Sequence, residues 1–451
     1  MMKKYIVTSY IPNADIDVKF YNSLVVMSRD VGAEIIVADC KANYVNDPSS
    51  LLQYAIDEEL KDVVVKGSFK FNNKLSLTDY RQSINVIDPI SGMAIDSAAS
   101  ALGNMIVAFP RHRFKSVARS LKHSKSPRGV WCTGTISEPY YKDTKSGAAM
   151  KNYHVKGALI VEVVDNHLFN IRQLQWDGKG FYDLDTYYTH KKAKKVKDSM
   201  IGLSLGDLHP PFVNHDILNS TCDLIKKYKP SNIIVHDTFD ATSISHHVAN
   251  KHLTKSLINN KLSNLEDEIR LTAKVLQVIS DAGKKSKVHI VKSNHDEHLE
   301  KYLDEFRFKE DYINIQMALV LAGRYIMYKK KLSDKMVLEY ALKSYEKLSN
   351  VSFYTRDDKL SLAGYEVLNH GDFGANGARG NAKGAGVAFS GKVVTGHTHS
   401  PEISAFGNSV NGTMTNLSVS YTNDSGTSGW LNTHTIIYKN GTISHYHIIL
   451  N

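Results

Sequence analysis

Five times from residue 200 onward in this 451-residue chain, a short apolar stretch runs straight into Asp, Asn or His. Residues 200–205 lead into Gly206-Asp207-Leu208-His209, and 232–235 into His236-Asp237-Thr238-Phe239-Asp240. Residues 288–291 lead into Lys292-Ser293-Asn294-His295-Asp296, 366–368 into Asn369-His370-Gly371, and 392–394 into Gly396-His397-Thr398-His399. Runs of this length and composition read as buried strands. Between them, 216–227 reads as a helix, and Leu265, Ile269, Ala273, Leu276 and Ile279 recur at helical spacing. Alternating strands and helices predict an α/β sheet, whose strand ends open on a common crevice. One Asp-x-His or one Gly-His-x-His says little; five polar clusters in order, each delivered by its own strand, predict a single site.

The expected donors are Asp207, His209, Asp237, Asn294, His370, His397 and His399. Carboxylate, amide and imidazole together suit a pair of manganese, iron or zinc ions better than calcium or magnesium; two divalent metals are expected, manganese first, with iron, zinc or magnesium as alternatives.

The motif order resembles that of the calcineurin-like metallophosphoesterases (DxH, GDxxD, GNH[DE], a single His, GHxH) over roughly residues 200–450. The resemblance implies a four-layer αββα sandwich holding two metals. It implies Asp207, His209 and His399 on one ion, Asn294, His370 and His397 on the other, and Asp237 between them. Two metals of this kind clamp a phosphoryl group and activate a hydroxide for in-line attack. His295 would serve the leaving oxygen. Asp296 would orient His295 or cap the following helix. The sequence departs from the family pattern at His236 and Ser293, where glycine is usual, so the loop backbone is expected to differ there.

The first 195 residues lie outside the resemblance. Runs at 5–8 and 34–38 flank a helical segment at 18–30, a β–α–β opening, and further strands are expected at 104–110, 155–164, 168–174 and 182–188. The lysine-rich stretch 190–198 reads as a linker. With a length that favours more than one core, this predicts a separate N-terminal α/β domain, 1–195, and a phosphoesterase domain, 196–451, carrying a helical insertion at about 297–350. Asn440-Gly441 marks a hairpin turn.

The formal net charge is +10, which favours a polyanionic partner. Arg111, Arg113, Lys115, Arg119, Lys122, Lys125 and Arg128 form a segment free of acidic residues. Either it is a solvated face, or Arg113, Lys115 and Arg119 touch nucleic-acid phosphates. Arg379 sits in the glycine-rich stretch 371–386 after His370 and is a further expected phosphate contact. The Phe239-Asp240 ending of the second motif resembles that of double-strand-break-repair exonucleases of the SbcD type, and the composition resembles that of phosphoesterases of tailed phages. The expected function is a metal-dependent DNA nuclease, with DNA as partner and homo-oligomerisation possible. The alternative is a phosphatase acting on a small molecule or phosphoprotein. Cys40, Cys132 and Cys222 are far apart, the N-terminus lacks the pattern of a secretion signal, and no 18-residue apolar run occurs. A cytoplasmic setting without membrane contact is therefore expected, the host cytoplasm if the chain is phage-encoded.

Overall fold

A computed structural model of the protein describes residues 2–11, 14–40, 64–65, 68–78, 104–120, 128–245, 264–373, 391–404, 406–417 and 427–448. Its core is a six-stranded sheet that delivers three of the five polar clusters directly. Strands Val351–Phe353, Lys287–Ile290, Asn232–Val235 and Met200–Ser204 run parallel. Thr433–Tyr438 and Ile443–His447 complete it as an antiparallel hairpin turning at Gly441, whose φ is 79°.

Register explains the sheet's two dry faces. Leu203, Ile233, Val288 and Val351 pair across neighbouring strands. They pack with Ile217, Ile225, Leu276 and Ile279 from the helices His215–Tyr228 and Leu265–Ala282. Their alternates Ile234 and Ile437 point the other way, into a second core. Both helices start at an asparagine whose side chain accepts two backbone amides, Asn214 from Asp216 and Ile217, and Asn264 from Glu266 and Asp267. The expected insertion is helical, with segments Glu297–Asp304, Ile315–Lys329 and Val337–Lys343.

A ten-stranded sheet faces the six-stranded one. Its strand order is Ser361–Leu362, Tyr365–Glu366, Lys392–Thr395, Ser409–Val410, Glu402–Ile403, Phe114–Ser116, Gly129–Cys132, Asn104–Val107, Leu75–Thr78 and Phe69–Lys70. A five-stranded sheet built on Lys3–Tyr10 and Ala33–Asp39, parallel as the β–α–β opening requires, is covered by helix Val18–Val31. The molecule is thus mixed α/β with several sheets.

The division expected at residue 195 is not a division between cores. Glu402–Ile403 pairs antiparallel with Phe114–Ser116, so one sheet contains strands from both sides of that position. Val7, Ile106, Phe114 and Trp131 share a hydrophobic core with Ile234, Val394, Ile403 and Ile437. The open edge of Glu402–Ile403 would otherwise present unpaired backbone groups, and the N-terminal half fills it. Nor is 190–198 an extended linker. Ala193–Lys195 is the third strand of a small antiparallel sheet with Phe181–Asp183 and Thr186–Tyr188. Lys194 and Lys195 in this strand and Lys191, Lys192 and Lys197 beside it are all exposed. Among the described residues no helix is long and apolar enough to cross a membrane.

Candidate metal centre

Backbone hydrogen bonds tie the first motif loop to the second and the fourth to the fifth. Leu208 and His209 donate to the carbonyls of His236 and Asp237, each at 3.0 Å, and Gly396 donates to that of His370 at 2.9 Å. Asp207 is held in a bridge beside Thr413 and accepts the His397 amide on Oδ2 at 2.6 Å, joining the first and last motifs. Four of the expected donors occupy the left-handed region: His209 (φ 40°), Asp237 (46°), His397 (75°) and His399 (56°). Non-glycine residues avoid this conformation, and strain concentrated in one cluster is characteristic of functional sites.

The side chains converge. Asp207, His209, Asp237 and His399 present ligand atoms all within 4.8 Å of one another, all buried. His209 Nε2 lies 3.1 Å from Asp237 Oδ2, and His370 Nε2 approaches the same oxygen at 3.2 Å. His399 Nε2 is 3.0 Å from both Asp207 Oδ2 and His209 Nε2. The His397 ring stands edge-on to His370, centroids 5.2 Å apart.

The donor set fits divalent cations on a direct test. Asp207 Oδ1, Asp237 Oδ1, Asn294 Oδ1 and His399 Nδ1 are buried without a hydrogen-bond partner. Buried polar atoms are rarely left so. Here they are two carboxylate oxygens, an amide oxygen and an imidazole nitrogen, which are hard and borderline metal donors.

Electrostatics runs in the same sense. Burial pushes the Asp237 carboxyl up, but His370, His209 and His295 outweigh it and hold the group well below the carboxylate range. Burial pulls His370 down, yet Asp237 and then Asp207 raise it to about 9. His209 is likewise held well above its ordinary value, because Asp237 and Asp240 overcome desolvation. The shifts of His370 and His209 report the negative field of the buried carboxylates, a field that favours a cation.

His295 is in place beside this cluster and partly open, its side chain 34% exposed. Its Nδ1 donates to the Asp240 carbonyl at 3.0 Å, which leaves Nε2 as the basic nitrogen. Its ring is edge-on to His209 at 4.8 Å. Asp296 neither orients His295 nor caps the helix with its side chain. Its Oδ1 accepts the Phe239 amide (2.9 Å), and its Oδ2 accepts the Ser293 amide and hydroxyl (3.1 Å each). With the Asp240 carbonyl already on His295, Asp296 instead ties the second motif loop to the third.

Among the described residues of the basic segment, three arginines are buried rather than open to solvent. Arg119 is 3% and Arg113 9% exposed, and Arg111 is buried too. The Arg119 guanidinium donates from Nη1 to the carbonyls of Ser428 (3.2 Å) and Trp430 (3.1 Å). Lys115 is half-buried, in register with Glu402. Lys122, Lys125 and Arg379 lie outside the described residues. The reason is topological: the segment supplies strand Phe114–Ser116 to the interior of a sheet, which sequence charge alone does not reveal.

Three contributors stood outside the expected donor set. Asp240 orients His209, Oδ1 to Nδ1 at 2.6 Å, and its place in the second motif is a legible signal. Trp430 packs edge-on against His399, ring centroids 4.2 Å apart, and has no local signal. His236 groups with Asp207 and His370, their candidate ligand atoms again within 4.8 Å of one another.

No family model matches the chain, and no solved structure matches it. It is 31% identical over 463 aligned residues to "Protein A1" of Escherichia phage T5, a match covering 97% of this chain and 80% of that one. With similarity sustained over nearly the whole length, the chain belongs to the family of the phage T5 Protein A1.

Proposed function

We propose that this protein is a dinuclear metal-dependent phosphodiesterase acting on DNA. The observation that carries the reading is the position of Asp237: one carboxylate oxygen within 3.2 Å of both His209 and His370, the other without a partner. A carboxylate placed between two imidazoles from separate motifs is where a bridging ligand belongs. Asp207, His209 and His399 would hold one ion, and Asn294, His370 and His397 the other. When bound, the two ions would neutralise phosphoryl charge and lower the pKa of a water. The chain's own part is to hold the donors rigid and dry, and to present His295 as the imidazolium, its Nδ1–H held by the Asp240 carbonyl and its Nε2–H, partly open beside the donors, available to protonate the leaving oxygen.

Two sheets face to face with helices outside them, as the cores lie here, support the αββα sandwich. The net charge of +10 supports a polyanionic substrate, and the second motif, with Phe239-Asp240, supports DNA over a monoester. Descent with a phage protein is compatible with action in the host cytoplasm.

Purified protein with Mn²⁺ should degrade linear plasmid DNA and hydrolyse bis-p-nitrophenyl phosphate, and EDTA should stop both. Hydrolysis of p-nitrophenyl phosphate with DNA left intact would favour a phosphatase. No turnover of any of the three would overturn the enzymatic reading.

A further inference from the structure

The second motif carries a histidine where the phosphoesterase pattern it resembles has glycine, and the structure gives that imidazole a specific set of neighbours. His236 is fully buried. Its Nδ1 lies 3.5 Å from Nδ1 of His370, with the rings tilted by 33°. Its Nε2 lies 3.3 Å from Ser204 Oγ. Ser204 Oγ in turn accepts Asn411 Nδ2 at 2.7 Å. The Asn411 amide has one orientation: Nδ2 also donates to the Leu205 carbonyl (3.0 Å), and Oδ1 accepts the Thr435 hydroxyl (2.7 Å).

These contacts determine where the protons sit. Two imidazole nitrogens facing each other share one proton. His370 directs Nε2 at Asp237, so for Nε2 to serve as a neutral metal donor the proton of His370 must be on Nδ1. His236 Nδ1 is then the acceptor, and the His236 proton lies on Nε2, facing Ser204 Oγ. Metal-ligating histidines generally have their second nitrogen engaged in this way. His209 uses the Asp240 carboxylate; His370 has a neutral imidazole instead. Glycine at 236 would leave the Nδ1–H of His370 buried without an acceptor.

We infer that His236 is a positioning residue that holds His370 in its metal-binding tautomer, with Ser204 and Asn411 as its anchor. The inference rests on the metal-centre reading of the site.

The test is calorimetric titration of Mn²⁺ into metal-stripped protein, with circular dichroism melts to confirm folding. Wild type should bind two ions. His236→Ala should bind one of them 10- to 100-fold more weakly, the usual effect of removing such a partner (~10–100-fold). His236→Asn, whose Oδ1 takes the place of the imidazole Nδ1, should recover binding to within about threefold of wild type, on the same scale. If the alanine variant does not fold, His236→Leu fills the volume without an acceptor and should show the same loss. Unchanged affinities in the alanine or leucine variant would overturn the inference and leave the metal reading standing. An asparagine variant as weak as alanine would also overturn it, by showing that packing and not the acceptor matters. Wild type that takes up no Mn²⁺ would overturn the metal reading, and the inference with it.

Discussion

The carboxylate of Asp207 accepts the backbone N–H of His397 at 2.6 Å, joining residues 190 positions apart in sequence. The bond needs close approach, and Gly396 provides it. A Cβ at 396 would overlap Asp207 Oδ1 and crowd His236. Gly396→Ala should therefore displace the donor while leaving the hydrophobic cores intact. Overpacking of this kind costs about 1–3 kcal/mol. The variant should keep its secondary structure by circular dichroism and lose bound Mn²⁺ by elemental analysis. Full metal content would show that the loop absorbs the methyl group.

Asp237→Ala removes the carboxylate shared by His209 and His370. Both ions should be lost or strongly weakened, and hydrolysis of bis-p-nitrophenyl phosphate abolished. Two metals per chain with near-normal turnover would remove Asp237 from the bridging position.

His295→Ala should separate chemistry from metal binding. The ring is tethered to the Asp240 carbonyl beside the donors. Both metals should remain while turnover falls by roughly 10²–10⁴, the usual contribution of a positioned acid or base. Loss of metal from this variant would place His295 among the ligands.

Arg119→Ala addresses the basic segment. Because its guanidinium is buried on the Ser428 and Trp430 carbonyls, the substitution should destabilise the fold by about 1.5–3 kcal/mol, as for other hydrogen bonds from charged groups. Urea denaturation measures this. Of the three cations expected to touch phosphate, Lys115 is the half-buried one, so Lys115→Ala should lower the salt slope of DNA binding by about one unit at most. An Arg119 variant with wild-type stability and a reduced slope would restore the open-face reading.

Acid stability should follow the buried histidines near the C-terminal hairpin. Burial pulls His434 and His447 down to about 3 and His112 to about 4. His445 is held well below its ordinary value, first by burial and then by His447. The folded state refuses a proton that the unfolded chain accepts near pH ~6.5, so this stability is present above that pH and is lost as pH falls. Glu268, pushed up to about 7 by burial and Asp240, works in the opposite sense. A single-site comparison isolates one group. The stability advantage of wild type over His447→Asn should shrink by roughly 2 kcal/mol between pH 7 and pH 5. A constant difference would mean that His447 protonates in the folded state.

The sequence by itself determined the local elements and several of the residues that meet in the candidate site. Residues 233–235 are apolar and follow the turn-formers Pro230-Ser231-Asn232, and Asn232–Val235 is a strand. Residues 265–279 repeat at helical spacing, and Leu265–Ala282 is a helix with that face buried. Asp207, His209, Asp237 and His399 each follow a strand, and they meet. Both the periodicity of a segment and the residue at its end are local properties. Contacts between distant segments are not. That Phe114–Ser116 enters the same sheet as Glu402–Ile403, burying Arg113 and Arg119, depends on which strand edge is left open after the rest has folded. That Asp296 binds Phe239 and Ser293 rather than His295 depends on sub-ångström loop geometry. That His236 faces His370 depends on two loops meeting across 134 residues of chain. Hydrophobic patterning chooses what is buried; only tertiary packing chooses which polar groups are buried together.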